Sequence, residues 1–178
     1  MKYVVRIGLL LLIAVLAYFT YESIAAPVRY KAEVEKIEAK IIDRLKILRD
    51  GELAYKDVHS RFADNFDSLL NFMENGEMTT LIQDGNVDDS TTVFTSREVA
   101  YSVKDSLFRN VDVMNLKYVP DMGTLEFKIA AGTLKKNNVT VPVFEIKDPE
   151  PFSVDRQYKN NPLKVGSIFA VNYNGNWK

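Results

Sequence analysis

The feature that most constrains this chain is an uninterrupted apolar run near its N-terminus. Ile7–Tyr21 contains no charged residue, and the next charge is Glu22. As a helix, about 15 residues span roughly 22 Å, which is short of a hydrocarbon core of about 30 Å. Tyr3–Val5 and Ser23–Val28 lengthen the apolar stretch, and aromatic residues gather at its outer end, as at a membrane interface. We therefore expect a transmembrane helix over residues 7–28.

A cleaved signal peptide is the competing interpretation of the same run. The start is basic, and small residues at Ser23-Ile24-Ala25 or Ala25-Ala26 precede Pro27, as at a cleavage site. Bulky aromatic residues and Glu22 lie where a signal peptide should end, which favours an anchor that is retained. Both interpretations stay open at this point.

The charges that flank the run predict its orientation. Lys2 and Arg6 precede it, whereas Arg29, Lys31 and Lys36 follow it, so the positive-inside rule acts only modestly. A short tail is the easier side to leave in the cytoplasm. We expect residues 1–6 to be cytoplasmic and the bulk of the chain to be periplasmic, with the protein in a bacterial inner membrane.

Beyond the apolar run, residues 29–62 predict a long amphipathic stalk helix. The stretch is rich in Lys, Glu, Ala and Ile, and its apolar residues recur at three-four and seven-residue spacings. Such a face is either a coiled-coil seam for self-association or other envelope proteins, or the packing face of the chain's own domain. The charges on the opposite face, which include Arg44, are expected to be solvated. The interface candidates are Val34, Ile37, Ile41, Leu45, Leu48 and Tyr55.

The remainder, residues 63–178, predicts a periplasmic α+β domain. A second amphipathic helix is expected from about 65 to 74 with Gly76 as its stop, followed by a polar loop over 78–95 that carries a short edge strand. Alternating residues then predict an antiparallel meander. Its strands are expected at 116–120, 124–129, 139–146 and 165–171, and the ambiguous stretch 95–108 is interpreted as a strand. The predicted fold class is α+β, with a transmembrane helix that continues into an amphipathic helix and ends in a small antiparallel sheet domain.

Composition and motifs exclude several function classes. The 23 basic and 24 acidic residues give a net charge of −1, which disfavours nucleic acid as a partner. With no cysteine and a single histidine, His59, we expect no grouped catalytic residues, no cofactor site and no metal cluster. Asp84, Asn86 and Asp88 begin like a calcium loop, but Asp89 replaces the required glycine.

The stretch ELAYKDVHSRFADNFDSLLNFM resembles the corresponding segment of type IV pilins and pseudopilins, through Ala54, Tyr55, Phe62, Ala63 and Leu69. The resemblance implies a pilin-like layout, in which a membrane helix leads into an antiparallel sheet. Gly8 is in place for prepilin cleavage, but Ile13 stands where the family carries a glutamate, which bears on processing and filament assembly. The C-terminal VGSIFAVNYNGNW is also similar to short envelope proteins of Bacteroidota.

These observations lead us to expect a non-enzymatic, single-pass inner-membrane protein that serves as a structural or assembly component of a secretion- or pilus-like envelope complex. Its partners would be the lipid bilayer and other envelope proteins. The alternative is a periplasmic ligand-binding module, tethered or released by cleavage, with the 78–95 loop as its lip. An enzyme is the third class.

Overall fold

The computed structural model describes residues 1–84 and 95–177. The chain forms two compact units, Met1–Lys40 and Ile41–Lys178. The first unit is entirely helical after Met1, and the described part of the second contains the rest of that helix, three further α-helices, a 3₁₀ turn and the strands of both sheets. The fold is α+β, with small antiparallel sheets that follow a long N-terminal helix, which confirms the predicted class at this level.

The first helix, α1, runs from Lys2 to His59 over 58 residues. Pro27 lies inside it, so the helix passes the point where a start or kink was expected. Proline donates no backbone hydrogen bond, and the carbonyl of Ser23 therefore lacks its usual helical partner. The helix ends where Ser60 adopts a left-handed φ of 58°.

The second helix, α2 (Phe66–Asn75), begins and ends where its sequence predicts. The Asn65 side chain accepts a hydrogen bond from the Ser68 backbone N–H at 2.8 Å, which satisfies an otherwise unpaired first-turn donor. At the other end the Gly76 N–H donates to the Phe72 carbonyl at 2.7 Å. Five side chains of α2 are buried: Phe66, Leu69, Leu70, Phe72 and Met73.

A two-stranded ribbon follows α2. Strand β1 (Glu77–Asp84) pairs antiparallel with β2 (Thr95–Ser102), so the segment expected to be mainly loop is a strand as far as Asp84. Residues 85–94 of that loop lie outside the described residues. The ambiguous stretch after Thr95 contains both structures, because β2 leads into the short helix α3 (Val103–Leu107).

The second sheet is a three-stranded meander in the order β3-β4-β5. Strands β3 (Lys128–Lys136) and β4 (Val139–Lys147) form a hairpin whose turn places Asn137 and Asn138 at φ values of 49° and 68°. A two-residue turn with two positive φ angles matches the right-handed twist of the strands, and asparagine tolerates it. The two asparagines therefore close the hairpin without strain on the flanking strands.

The strand expected at Leu116–Pro120 is absent. A 3₁₀ turn at Val113–Asn115 precedes it, and Tyr118 forms an isolated bridge with Glu126. Two backbone hydrogen bonds flank that bridge, from the Val119 N–H to the Leu125 carbonyl at 2.8 Å and from the Phe127 N–H to the Lys117 carbonyl at 2.9 Å. The expected 124–129 strand begins at Lys128 instead. Local alternation predicted strands here, but the antiparallel contact covers only residues 117–119 and 125–127 and does not extend into a longer ladder.

The end of the chain wraps back over the meander. A short helix, α4 (Val154–Tyr158), precedes β5 (Lys164–Gly166), which pairs with the last residues of β4. The strand expected over 165–171 stops at Gly166, whose φ is 75°. The core of the second unit is drawn from α1, α2, β4, β5 and the connecting segments, and its largest fully buried residues include Leu45, Leu48, Leu69, Phe144 and Ile146.

Candidate functional site

The structure divides the predicted interface residues into two groups. Ile41, Leu45, Leu48 and Tyr55 are buried in the second unit, with at most 7% of each residue exposed. These side chains contribute to the core of their own domain and leave almost no surface for another protein. Val34 and Ile37, which lie in the first unit, are half-buried. Only these last two keep the surface that a helix seam needs.

The apolar half of α1 is the largest exposed hydrophobic surface among the described residues. Its large apolar side chains, from Tyr3 to Val28, are between 49% and 76% exposed. By length and composition α1 qualifies as a membrane span, and none of its apolar window is buried. A signal sequence near an N-terminus would meet the same criterion. Apolar residues cover every side of this half of α1. The stretch of α1 after residue 29 differs, because its apolar residues lie on one face only.

An ion pair brackets the proline of α1. The Arg29 guanidinium donates to the Glu22 carboxylate, with Pro27 between them. Such pairing lowers the cost of placing a carboxylate beside an apolar segment, because neither charge is left without a partner. Glu22 is therefore compatible with the end of an apolar segment.

Glu52 is a strongly perturbed acid that the sequence interpretation did not anticipate. Its residue is 0% exposed, and burial raises the pKa of its carboxyl to about 8, with a smaller contribution from Asp64. Oε2 accepts a hydrogen bond from the Ala63 backbone N–H at 2.9 Å, and Oε1 has no partner. A clue was present in the sequence, since Glu52 follows Leu48 and Leu45 at helical spacing on the buried face.

Arg44 also differs from expectation, because it is not a fully solvated charge. Its Nη1 donates to the carbonyl oxygens of Asn115 at 3.1 Å and Tyr118 at 2.5 Å. Partial burial lowers the pKa of Arg44 from its ordinary value, and the negative charges of Asp112 and Asp121 act in the opposite direction and raise it. The guanidinium thus fixes the 3₁₀ turn and the segment after it against α1.

A small cleft lies between the end of α1 and α2. The ring of His59, the last residue of α1, stacks on Tyr55 with centroids 4.2 Å apart, and Phe72 meets both rings edge-on. The cleft has a volume of about 290 Å³ and no acidic or lysine side chain in its lining. Its walls are Tyr55, His59, Ser68, Asn71, Phe72, Asn75 and Gly76.

The possible calcium loop cannot be placed, since Asn86, Asp88 and Asp89 lie outside the described residues. Across residues 1–84 and 95–177, no three histidine, aspartate or glutamate side chains are grouped to hold a metal ion.

The chain matches no protein-family model, no curated protein and no solved structure.

Proposed function

We propose that this protein is a non-enzymatic, single-pass inner-membrane protein whose periplasmic domain is a structural or assembly component of a cell-envelope complex. One observation carries the proposal: a single helix, α1, is apolar and exposed on all sides from Ile7 to Tyr21, and it buries one face in a protein core between Ile41 and Tyr55. A helix that is apolar on all sides is suited to lipid, whereas a helix with one apolar face is suited to packing on a folded domain.

The size of the exposed surface supports a bilayer as its environment. Removing apolar surface from water is worth about 25 cal/mol per Å², so a run of Leu, Ile, Val and Phe side chains gains many kcal/mol on entering hydrocarbon. Apart from the Ser23 carbonyl, whose donor is replaced by Pro27, the helix satisfies its own backbone hydrogen bonds, as a spanning segment must. Lys2 and Arg6 favour a cytoplasmic N-terminal side.

The layout supports an assembly role of the pilin-like kind. A long N-terminal helix whose C-terminal half contributes to a small domain with antiparallel sheets is the arrangement that the resemblance to type IV pilins implies. Ile13, which stands in place of the family's glutamate, leads us to propose a membrane-retained component rather than a processed filament subunit.

Two measurements on the native cell test the proposal. The mass of the mature protein distinguishes an intact chain, which we expect, from one cut after Gly8 or after Ala25 or Ala26. The protein should also remain in the membrane pellet after alkaline carbonate extraction. A chain that is cut after Ala25 or Ala26 and recovered in the soluble fraction would overturn the anchored function.

Crosslinking then tests the partner surface. Val34 is half-buried and Ile41 is buried, so a photocrosslinking residue at 34 should capture a neighbouring protein and one at 41 should not. If neither position captures a neighbouring protein, the proposal that α1 forms a helix seam with a partner is contradicted.

The cleft beside His59 supports a second candidate, a membrane-tethered ligand-binding module. Two amide side chains and a hydroxyl line it beside an aromatic wall, which suits an uncharged polar ligand of small size. His59 is the only histidine, so its ring protons give an isolated NMR signal. Shifts of that signal on addition of a neutral sugar or amide, lost in Asn71→Ala, would favour this candidate over a purely structural role.

A further inference from the structure

Two sheet edges in the second unit have matching length, charge and hydrogen-bonding pattern. Strand β3 is an edge strand of nine residues, and β1 is an edge strand of eight. An unpaired edge is a template for another strand, and natural proteins commonly protect such edges. We propose that copies of this chain associate head to tail, with the β1 edge of one copy paired antiparallel with the β3 edge of the next.

The geometry of Pro142 shows which backbone groups β3 presents outward. Thr133 lies opposite Pro142, which has no N–H and whose carbonyl accepts a hydrogen bond from the Tyr173 hydroxyl at 2.9 Å. Thr133 and Pro142 are therefore a non-hydrogen-bonded pair, and the N–H and C=O of Thr133 point away from β4. By alternation, the outward groups of β3 belong to Ile129, Ala131, Thr133 and Lys135.

The outward groups of β1 follow in the same way. The Val103 N–H donates to the Gly76 carbonyl at 3.0 Å, so this pair is hydrogen-bonded and the alternate residues after Gly76 face β2. The outward groups belong to Glu77, Thr79, Leu81 and Gln83. Within residues 1–84 and 95–177, neither set has a backbone partner.

One register satisfies the hydrogen bonds of both edges and also places both acidic residues of β1 opposite lysines of β3. The spacing from Glu77 to Asp84 equals that from Lys128 to Lys135, so an antiparallel pairing that sets Glu77 opposite Lys135 also sets Asp84 opposite Lys128. In that register every outward residue of β1 lies opposite an outward residue of β3, which is the condition for a continuous ladder. The hydrogen-bonded pairs are Glu77 with Lys135, Thr79 with Thr133, Leu81 with Ala131, and Gln83 with Ile129.

The side chains agree with this register. Met78 lies opposite Leu134, which forms an apolar cross-strand pair, and Thr80 lies opposite Gly132, where a β-carbon would have no atom within 4 Å. Pairing β3 with a second β3 would instead bring two lysine-bearing strands together without an acid between them. Charge complementarity therefore selects β1 of another copy over β3 of another copy.

This inference deepens the assembly role proposed above, and it does not depend on the membrane helix. An interface between two different edges is heterologous, so repetition produces a ring or an open filament rather than a closed dimer. An open assembly therefore has an unpaired β1 edge at one end and an unpaired β3 edge at the other.

Disulfide crosslinking of the full chain in detergent tests the register directly, because the chain contains no cysteine. Thr80→Cys and Gly132→Cys are made in separate chains and mixed under mild oxidation. Non-hydrogen-bonded antiparallel positions place α-carbons about 4.5 Å apart, within disulfide range. We expect the mixture to give a crosslinked product of about twice 20.3 kDa. The yield of this product should be higher from the mixture than from either variant alone.

Thr133→Cys, which places the thiol on the opposite face of β3, is the matched control and should not crosslink to Thr80→Cys. A mixture that stays monomeric, or that crosslinks equally through the control, overturns the proposal. Capture of a different protein by the β3 edge in cells, without the homotypic product, also overturns it.

A charge exchange provides a second measurement on folded variants. Glu77→Lys in the Thr80→Cys chain should lower the crosslink yield about five-fold, since like charges then face each other across the strands. Lys135→Glu in the partner chain should restore it. If Lys135→Glu does not restore the crosslink yield, the Glu77–Lys135 pairing is contradicted. This result is independent of whether the protein is anchored in a membrane.

Discussion

The Glu52 carboxylate in α1 accepts a hydrogen bond from the Ala63 backbone N–H at 2.9 Å, which ties the helix to the turn that leads into α2. The acceptor is fully buried, and its second oxygen has no partner. A carboxyl in this position is stable in its neutral form, because ionisation would leave a charge in the core.

The first prediction is a pH dependence of folding stability. The pKa of Glu52 is raised from 4.5 in the unfolded chain to about 8 in the folded chain, so the folded state holds one more proton between these values. Stability is full below about pH 4.5 and falls by about 1.4 kcal/mol per pH unit toward pH 8, where the loss levels off. Chemical unfolding of the full chain in detergent, followed by circular dichroism from pH 5 to 9, measures it.

The control for this slope is Glu52→Gln, which keeps the shape without an ionisable group. Its stability should vary less with pH, and above pH 8 it should exceed that of the parent chain. Glu98→Gln, at an exposed position in β2, should leave the slope unchanged. An unaltered slope in Glu52→Gln would assign the effect to another group.

The second prediction concerns the buried half of α1. Leu48→Ala removes a fully buried side chain and should cost about 2–5 kcal/mol of unfolding free energy through lost burial and a cavity. Val34→Ala, in the first unit, should cost much less, because Val34 keeps part of its surface exposed. Denaturant midpoints of the two variants make the comparison. Similar losses at both positions would contradict the division between core and surface.

The third prediction concerns Arg44. Replacing it with methionine leaves the Asn115 and Tyr118 carbonyls without their donor, which should cost about 1–3 kcal/mol. Arg49→Met is the matched control, because Arg49 pairs with its exposed neighbour Asp50. Hydrogen exchange should show the loss locally, with faster exchange over residues 113–126 in Arg44→Met. Unchanged exchange there would show that Arg44 does not hold the segment.

The fourth prediction contrasts two glycines. Gly166 has a φ of 75°, and a β-carbon there would lie 2.3 Å from the Phe144 carbonyl oxygen, so Gly166→Ala should cost about 2–4 kcal/mol. Gly132 has open space and no positive φ, so Gly132→Ala should be neutral or slightly stabilising. Thermal unfolding of the two variants distinguishes them. Equal effects would show that the β4–β5 contact is not as close as described.

The local elements of this chain can be read from the sequence alone. The apolar run before Glu22, the helix bounded by Asn65 and Gly76, and the turn at Asn137 and Asn138 follow from residues that are neighbours along the chain. Composition, periodicity and turn chemistry are local properties, so they are visible without a fold.

The packing partners of those elements depend on the tertiary structure. Periodicity marked Ile41 and Leu48 as buried but did not distinguish a partner helix from the chain's own core, because both remove the same surface from water. The burial of Glu52 and the outward edges at Glu77 and Lys135 also depend on residues distant in sequence. Which groups remain unpaired is decided only when the sheets and the core have formed.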